Sequence, residues 1–238
     1  MVRPFAIALA LLSAGCAPAE PPPECGSEGF ACFRGIFFDL VGNAVEGLEL
    51  CAPDEDVDCA TTDGTGGFQL PGLPRDADVV VTAEHPDFVP TVFSQNTAWD
   101  WYAWNKAAVP SWVLDSHAER LDVELDPARG HLVFLLWEGL NLDGVDTDRV
   151  VGATAVLDDG GDVFYADALG LASASATATT TSGSGGALNR PVGLETARFE
   201  ASGEACNEHS FSFAHGDGGV PIPIRAGYIT AIDVICPP

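Results

Sequence analysis

TTDGTGGFQLPGLP, residues 61–74, decides the fold. Asp63, Gly64, Thr65, Gly66 and Gly67 are turn formers that tolerate positive φ. Phe68 and Leu70, with Gln69 between them, then open a strand. On either side lie GIFFDLVG (35–42), GLELCAP (47–53), DVVVTAEH (78–85) and DFVPTVFS (87–94). These segments are short, rich in β-branched and aromatic residues, and separated by Gly, Pro and Asp. That spacing predicts a β-sandwich.

The plan recurs in the second half. GHLVFLLWEG (130–139) echoes GIFFDLVG, VVGATAVLD (150–158) echoes VEGLELCAP, and TTTSGSGGAL (179–188) matches TTDGTGGFQL. ARFEAS (197–202) stands where the first half has VVVTAE, and GVPIPIRAGYITAIDVIC (219–236) supplies two more strands. Insertions at Asn141–Asp148 and Asp162–Ala168 leave the edge strands of this half open.

The Gly-x-x-Val-x-Gly turn of residues 42–47, followed by TTDGTGGFQLPGLP and VVVTAEHPDFVP, resembles the carboxypeptidase regulatory-like domain. That family is a transthyretin-like, seven-stranded antiparallel sandwich of exported bacterial proteins. The resemblance spans residues 34–96 and implies a fold without bringing catalytic residues. The expected architecture is therefore all-β. Two tandem transthyretin-like or Ig-like antiparallel sandwiches, 34–96 and 129–238, flank a connector at 97–128.

That connector holds four of the five tryptophans (Trp99, Trp101, Trp104 and Trp112) within fourteen residues. Ser111 is expected to cap a short helix running to Arg120, with Val113, Leu114, His117 and Leu121 on one face. Two readings of the aromatics stand side by side. They fill an interface between two small sandwiches, or Trp99, Trp101, Tyr102 and Trp104 form a platform on which sugar rings stack. Their spacing does not choose between these.

The first fifteen residues, MVRPFAIALALLSAG, have the basic start, short apolar run and small-residue end of a secretory signal. The run from Phe5 to Leu12 is too short to cross a bilayer, which takes about 20 residues. Leu12-Ser13-Ala14-Gly15-Cys16 resembles the lipobox of bacterial lipoproteins, which implies acylation of Cys16. Residues 16–33, with the proline-rich APAEPPPE, then read as a tether. Ala17 follows the cysteine where an Asp would signal inner-membrane retention. By the same resemblance the expected address is the outer membrane, periplasmic or surface-facing, with membrane attachment through lipid.

Thirty-five acidic residues face ten basic ones, spread over both halves of the chain. Such a surface excludes nucleic acid as a partner, because phosphate binding relies on Lys and Arg. Six cysteines besides Cys16 form an even set in an exported protein and predict disulfides. Sequence distance favours Cys51–Cys59, Cys206–Cys236 and Cys25–Cys32.

No HExxH, GxSxG or phosphate-binding loop occurs, so no enzyme activity and no cofactor are expected. Two acidic loops offer hard oxygens suited to calcium: Asn141, Asp143, Asp146 and Asp148, and the weaker Asp54, Glu55, Asp56 and Asp58. Neither follows the EF-hand pattern. The expected function is a non-catalytic envelope lipoprotein that presents two sandwich modules to a polysaccharide or an envelope protein. The alternative is an accessory or regulatory subunit of an envelope enzyme or transport system.

Overall fold

A computed structural model describes residue 25 and residues 28–98, 104–138, 148–206 and 219–236. The first half contains β1 (Phe30–Phe38), β2 (Glu49–Cys51), β3 (Ala60–Thr61), β4 (Gly67–Pro74), β5 (Asp78–Glu84), β6 (Thr91–Asn96) and β7 (Lys106–Ala107). Helix α1 (Ser111–Leu121) follows. The second half contains β8 (Gly130–Glu138), β9 (Thr154–Leu157), β10 (Phe164–Ala166), β11 (Ala172–Ser173) and β12 (Ser184–Arg190). It continues with β13 (Gly193–Ala201), β14 (Glu204–Ala205), β15 (Val220–Ile224) and β16 (Ile229–Cys236). The fold is an all-β sandwich.

The repeat read from the sequence is a repeat of hydrogen bonds. β1 pairs antiparallel with β4 and parallel with β7, and β8 pairs antiparallel with β12 and parallel with β16. β5 lies between β2 and β6, as β13 lies between β9 and β15. Even the turns correspond. The Phe37 amide bonds to Gly66 O at 2.9 Å, and the Leu136 amide to Gly183 O at 2.8 Å. Thr62 accepts the Leu48 amide on Oγ1 at 2.9 Å, and Thr179 accepts the Ala153 amide at the same distance. Gly66 and Gly183 have φ of +74° and +61°, and a Cβ on either would meet the backbone oxygen of Phe37 or Leu136. Glycine is therefore required at both turns.

Each half closes over its own core. Phe33, Phe37, Leu70 and Leu73 of the β4–β1–β7 sheet meet Leu50, Val79, Val81 and Phe93 of the facing sheet. In the second half, Leu132, Phe134, Leu136 and Val234 meet Ala197, Phe199, Val220 and Ile222. Alternate residues of each strand point inward, as a half-buried strand requires.

The two halves share more than an interface. A nine-stranded sheet runs β11–β10–β12–β8–β16–β6–β5–β2–β3 through both. Its join is the parallel pairing of Ile229 with Thr91 and Thr230 with Val92. Val89, Leu114 and Ile229 pack there, with Val109, Leu125, Val133 and Leu188 around them. The seam is thus filled by aliphatic side chains.

Three local expectations change. β1 begins at Phe30, inside the segment read as tether, and buries Ala31, Cys32 and Phe33. Ser111 does not cap α1: Pro110 takes the N-cap position with φ −63° and ψ 146°, and no side chain caps the helix. The proline ring pre-sets the extended entry that a capping residue needs. The insertion at 162–168 contains β10, which with β11 forms one end of the nine-stranded sheet.

Candidate functional site

Most buried charge near the seam gathers around Asp233, on β16. Lys106 Nζ, on β7, lies 2.6 Å from Asp233 Oδ2, and the two side chains are 19% and 23% exposed. Trp137, on β8, donates its indole N–H to Asp233 Oδ1 at 3.0 Å. The Arg149 guanidinium lies over the Trp137 ring at 3.3 Å, and Lys106 Nζ lies 5.5 Å from the Phe93 and Trp104 ring centres. Cations on aromatic faces alternate here with a carboxylate, which offsets the loss of water around Lys106 and Asp233, while Arg149 Nη1 is buried without a hydrogen-bond partner.

Burial pushes the Asp233 carboxyl up, but the Lys106 charge and hydrogen bond, the Trp137 indole and the Arg149 charge outweigh it and hold it below the usual carboxylate range. Burial lowers the Arg149 guanidinium, and the Asp233 charge opposes that. A hollow of about 10 Å³ lies beside the pair, lined by Phe93, Ser94, Gln95, Ala231 and Ile232. Lysine and carboxylate neutralise each other, so this site has neither a free base nor a free nucleophile. Chemically it is a clamp between β7 and β16.

A second cluster lies in the β12–β13 turn. Arg190 is buried and bonds through Nε to Glu195 Oε2 at 3.0 Å, and through Nη2 to Glu195 Oε1 and to Asp159. Burial raises the Glu195 carboxyl, which the Arg190 contacts only partly offset. A Cβ on Gly161 would run into the Arg190 guanidinium. The hollow above, about 250 Å³, has Asp158, Asp159 and Glu195 on its walls beside exposed Val192 and Leu194. All three acids are engaged by arginines, Asp158 by Arg198 at 2.5 Å. This cluster pins a turn.

The expected ligand platform is corrected at Trp104. Its amide bonds to Arg34 O at 3.0 Å, which sets the residue beside β1. The ring is 3% exposed, packs against Phe33, Phe37, Phe68 and Phe93, and donates its N–H to Gln95 Oε1 at 3.0 Å. Such a ring offers no face to a sugar, and it lies within the first core rather than between the halves. Trp99, Trp101 and Tyr102 lie outside the described residues, as do Cys16, Asn141, Asp143 and Asp146. Asp148 is described and exposed. Asp54 pairs with Arg225 at 3.0 Å. Glu49, Cys51 and Cys59 converge, but the two sulfurs are joined in a disulfide and so are not metal ligands.

The three disulfides are Cys25–Cys32, Cys51–Cys59 and Cys206–Cys236, with Cα atoms 5.2, 4.4 and 4.0 Å apart. Of the histidines, His85 accepts the Asp87 amide at 3.1 Å and so shapes a turn. His209 and His215 lie outside the described residues.

Sequence reasoning passed over the clamp, although two signals mark it. Lys106 is the single lysine of the chain, set in the aromatic and apolar stretch AWNKAAV. Asp233 is the one charge in ITAIDVIC. A lone cation and a lone anion in apolar strands are candidates for each other.

No protein-family model and no curated protein matches the chain. Among solved structures, the Bacillus anthracis TIE protein is 14% identical with a TM-score of 0.27, covering 88% of this chain and 34% of its own. A streptococcal ancillary pilin is 12% identical with a TM-score of 0.25, covering 88% and 63%. BcpA, the major pilin subunit of Bacillus cereus, is 10% identical with a TM-score of 0.26, covering 87% and 99%. This chain thus spans about a third of the first and under two thirds of the second. At such TM-scores the similarity carries no functional argument.

Proposed function

We propose that this protein is an exported, non-catalytic structural module of a bacterial envelope. It would be held to the membrane by lipid on Cys16 and present a double sandwich to a polysaccharide or a surface protein. One observation carries the reading: the Lys106–Asp233 and Arg190–Glu195 pairs close across strands, and a continuous sheet fuses the two halves. Such an arrangement favours rigidity over chemistry. The signal-like start and the cysteine at position 16 support the anchor, and the disulfides support export.

The test has two arms. In a bacterial host, the full chain should fractionate with membranes and carry ester-linked fatty acid at its N-terminal cysteine by mass spectrometry. Cys16→Ser should abolish both; unchanged membrane retention would sink the anchor. For the partner, retention on a polysaccharide panel should fall at least tenfold in a Trp99→Ala, Trp101→Ala double variant. Binding to no glycan at all would direct the search to protein partners.

A further inference from the structure

Among the described residues, two histidines remain that neither the clamp nor the turn uses. His117, on α1, is buried, and its Nδ1 accepts the amide of Ala172 on β11 at 3.0 Å. Its ring packs on Phe164 of β10, with centres 5.1 Å apart. One turn along the helix, Arg120 Nη1 reaches the Ala172 carbonyl oxygen at 3.3 Å and Asp167 Oδ2 at 2.8 Å. The helix therefore meets both backbone polar groups of Ala172, as a neighbouring strand would.

His131, on β8, is likewise buried, and its Nδ1 accepts the amide of Asn189 on β12 at 3.3 Å. Asn189 has φ +52° and sits where the β8–β12 register shifts. Its side chain accepts the Asp126 amide at 2.9 Å and donates to the Glu124 carbonyl at 2.8 Å, and Arg129 donates to its backbone oxygen at 3.0 Å. His117 thus holds α1 directly against the second sandwich, whereas His131 fixes Asn189, whose side chain holds the loop after α1.

We propose that His117 and His131 form an acid-released clasp on residues 111–129: His117 fastens α1 to the β10–β11 hairpin directly, and His131 acts through Asn189 of β12, which it positions against the loop after α1. An imidazole accepts a hydrogen bond only while that nitrogen is unprotonated; an imidazolium has two donors and no acceptor. Protonation turns each bond into a donor facing a donor at a buried position. At His117 the charged groups are Arg120 on the same helix, which repels an imidazolium, and Asp167 on the hairpin turn, which attracts one but is already paired with Arg120. Around His131, Asp126 and Arg129 pair with each other, Arg225 pairs with Asp54, and Glu124 takes part through its backbone. Burial lowers both imidazoles, with the Arg120 charge adding to it at His117. The sign follows: the clasp is fully formed above the unfolded imidazole value of about 6.5 and weakens as pH falls below it. An exported protein meets the pH of its surroundings directly, which gives the device something to sense.

The test is an NMR pH titration of the isotopically labelled full chain. The Ala172 and Asn189 amide signals should move together with their partner imidazoles between pH 7.5 and 5. Proteolysis within 111–129, normalised to an unstructured substrate, should be about tenfold faster at pH 5.5 than at 7.5. In a His117→Asn, His131→Asn variant, whose amide oxygens accept at any pH, both responses should vanish. Amide signals that stay fixed while the imidazoles protonate, or a variant that still responds, would overturn the proposal. If the variant does not fold, the wild-type titration decides alone.

Discussion

The first and second halves share the main backbone bonds of their turns, yet they close differently. Each has a strand parallel to its leading strand. In the first half this is β7, two residues beside β1; in the second it is β16, eight residues beside β8. The short strand contributes mainly Lys106. The long one contributes Asp233, half of a disulfide and the join to β6. One position in a repeated plan has been kept minimal in one copy and extended into a shared spine in the other. Turn chemistry sets the plan, and strand length sets how the copies are joined.

The largest expected effect separates the halves by their cross-links. Cys206–Cys236 spans 30 residues and Cys51–Cys59 spans 8. Chain-entropy reasoning gives about 3.5 kcal/mol for the first and about 2.5 kcal/mol for the second. Denaturant melts of Cys206→Ala, Cys236→Ala against Cys51→Ala, Cys59→Ala should show that order. A reversed order would mean that the second half does not depend on its spine.

Next comes the clamp. Asp233→Asn leaves Lys106 without its counter-charge and should cost about 3 kcal/mol. It should also change the acid limb of stability. Because the Asp233 carboxyl lies below its usual range when folded, the wild type has that contribution above about pH 4 and loses it as pH falls further. The variant should lack this loss. A melting temperature that falls equally in both below pH 4 would remove the clamp from the account.

The smallest effect is the sharpest test of the repeat. Thr62→Val and Thr179→Val each leave a buried amide unpaired, at Leu48 or Ala153, at a cost of about 1–3 kcal/mol. Thr179 Oγ1 also donates to the Val150 carbonyl at 2.8 Å, so Thr179→Val should cost about 1 kcal/mol more than Thr62→Val. Equal losses in thermal melts would mean that this extra bond adds nothing to the second turn.

The fold was legible wherever it depends on local chemistry. Asp63 to Gly67 and Ser182 to Gly186 announce their turns, and the alternation after them announces strands. Pairing at long range was not legible. Nothing in Thr91, Val92, Ile229 or Thr230 says that these strands will meet, because parallel pairing leaves no turn signature between partners. Trp104 shows the same limit at the candidate site. A tryptophan beside others suggests a surface for a ligand, and only the register of the chain next to Arg34 reveals that it fills a core. The clamp was half visible: composition marks Lys106 and Asp233 as unusual, but only the spine brings them together.

β16 also dictates an order of assembly. It is made about a hundred residues after its partner β8, and later still after β6. The β4–β1 and β5–β6 pairs of the first half lie within residues 30–96 and can form as soon as residue 96 is available. The second half, by contrast, has an open edge on β8 until residues 229–236 arrive. Throughout that interval the β16-facing edge of β8 is exposed to other copies of the same chain. A chain folding from its N-terminus therefore passes through a state in which the free edges of β6 and β8 both await the same last strand, so the final eight residues of the sheet close both halves at once.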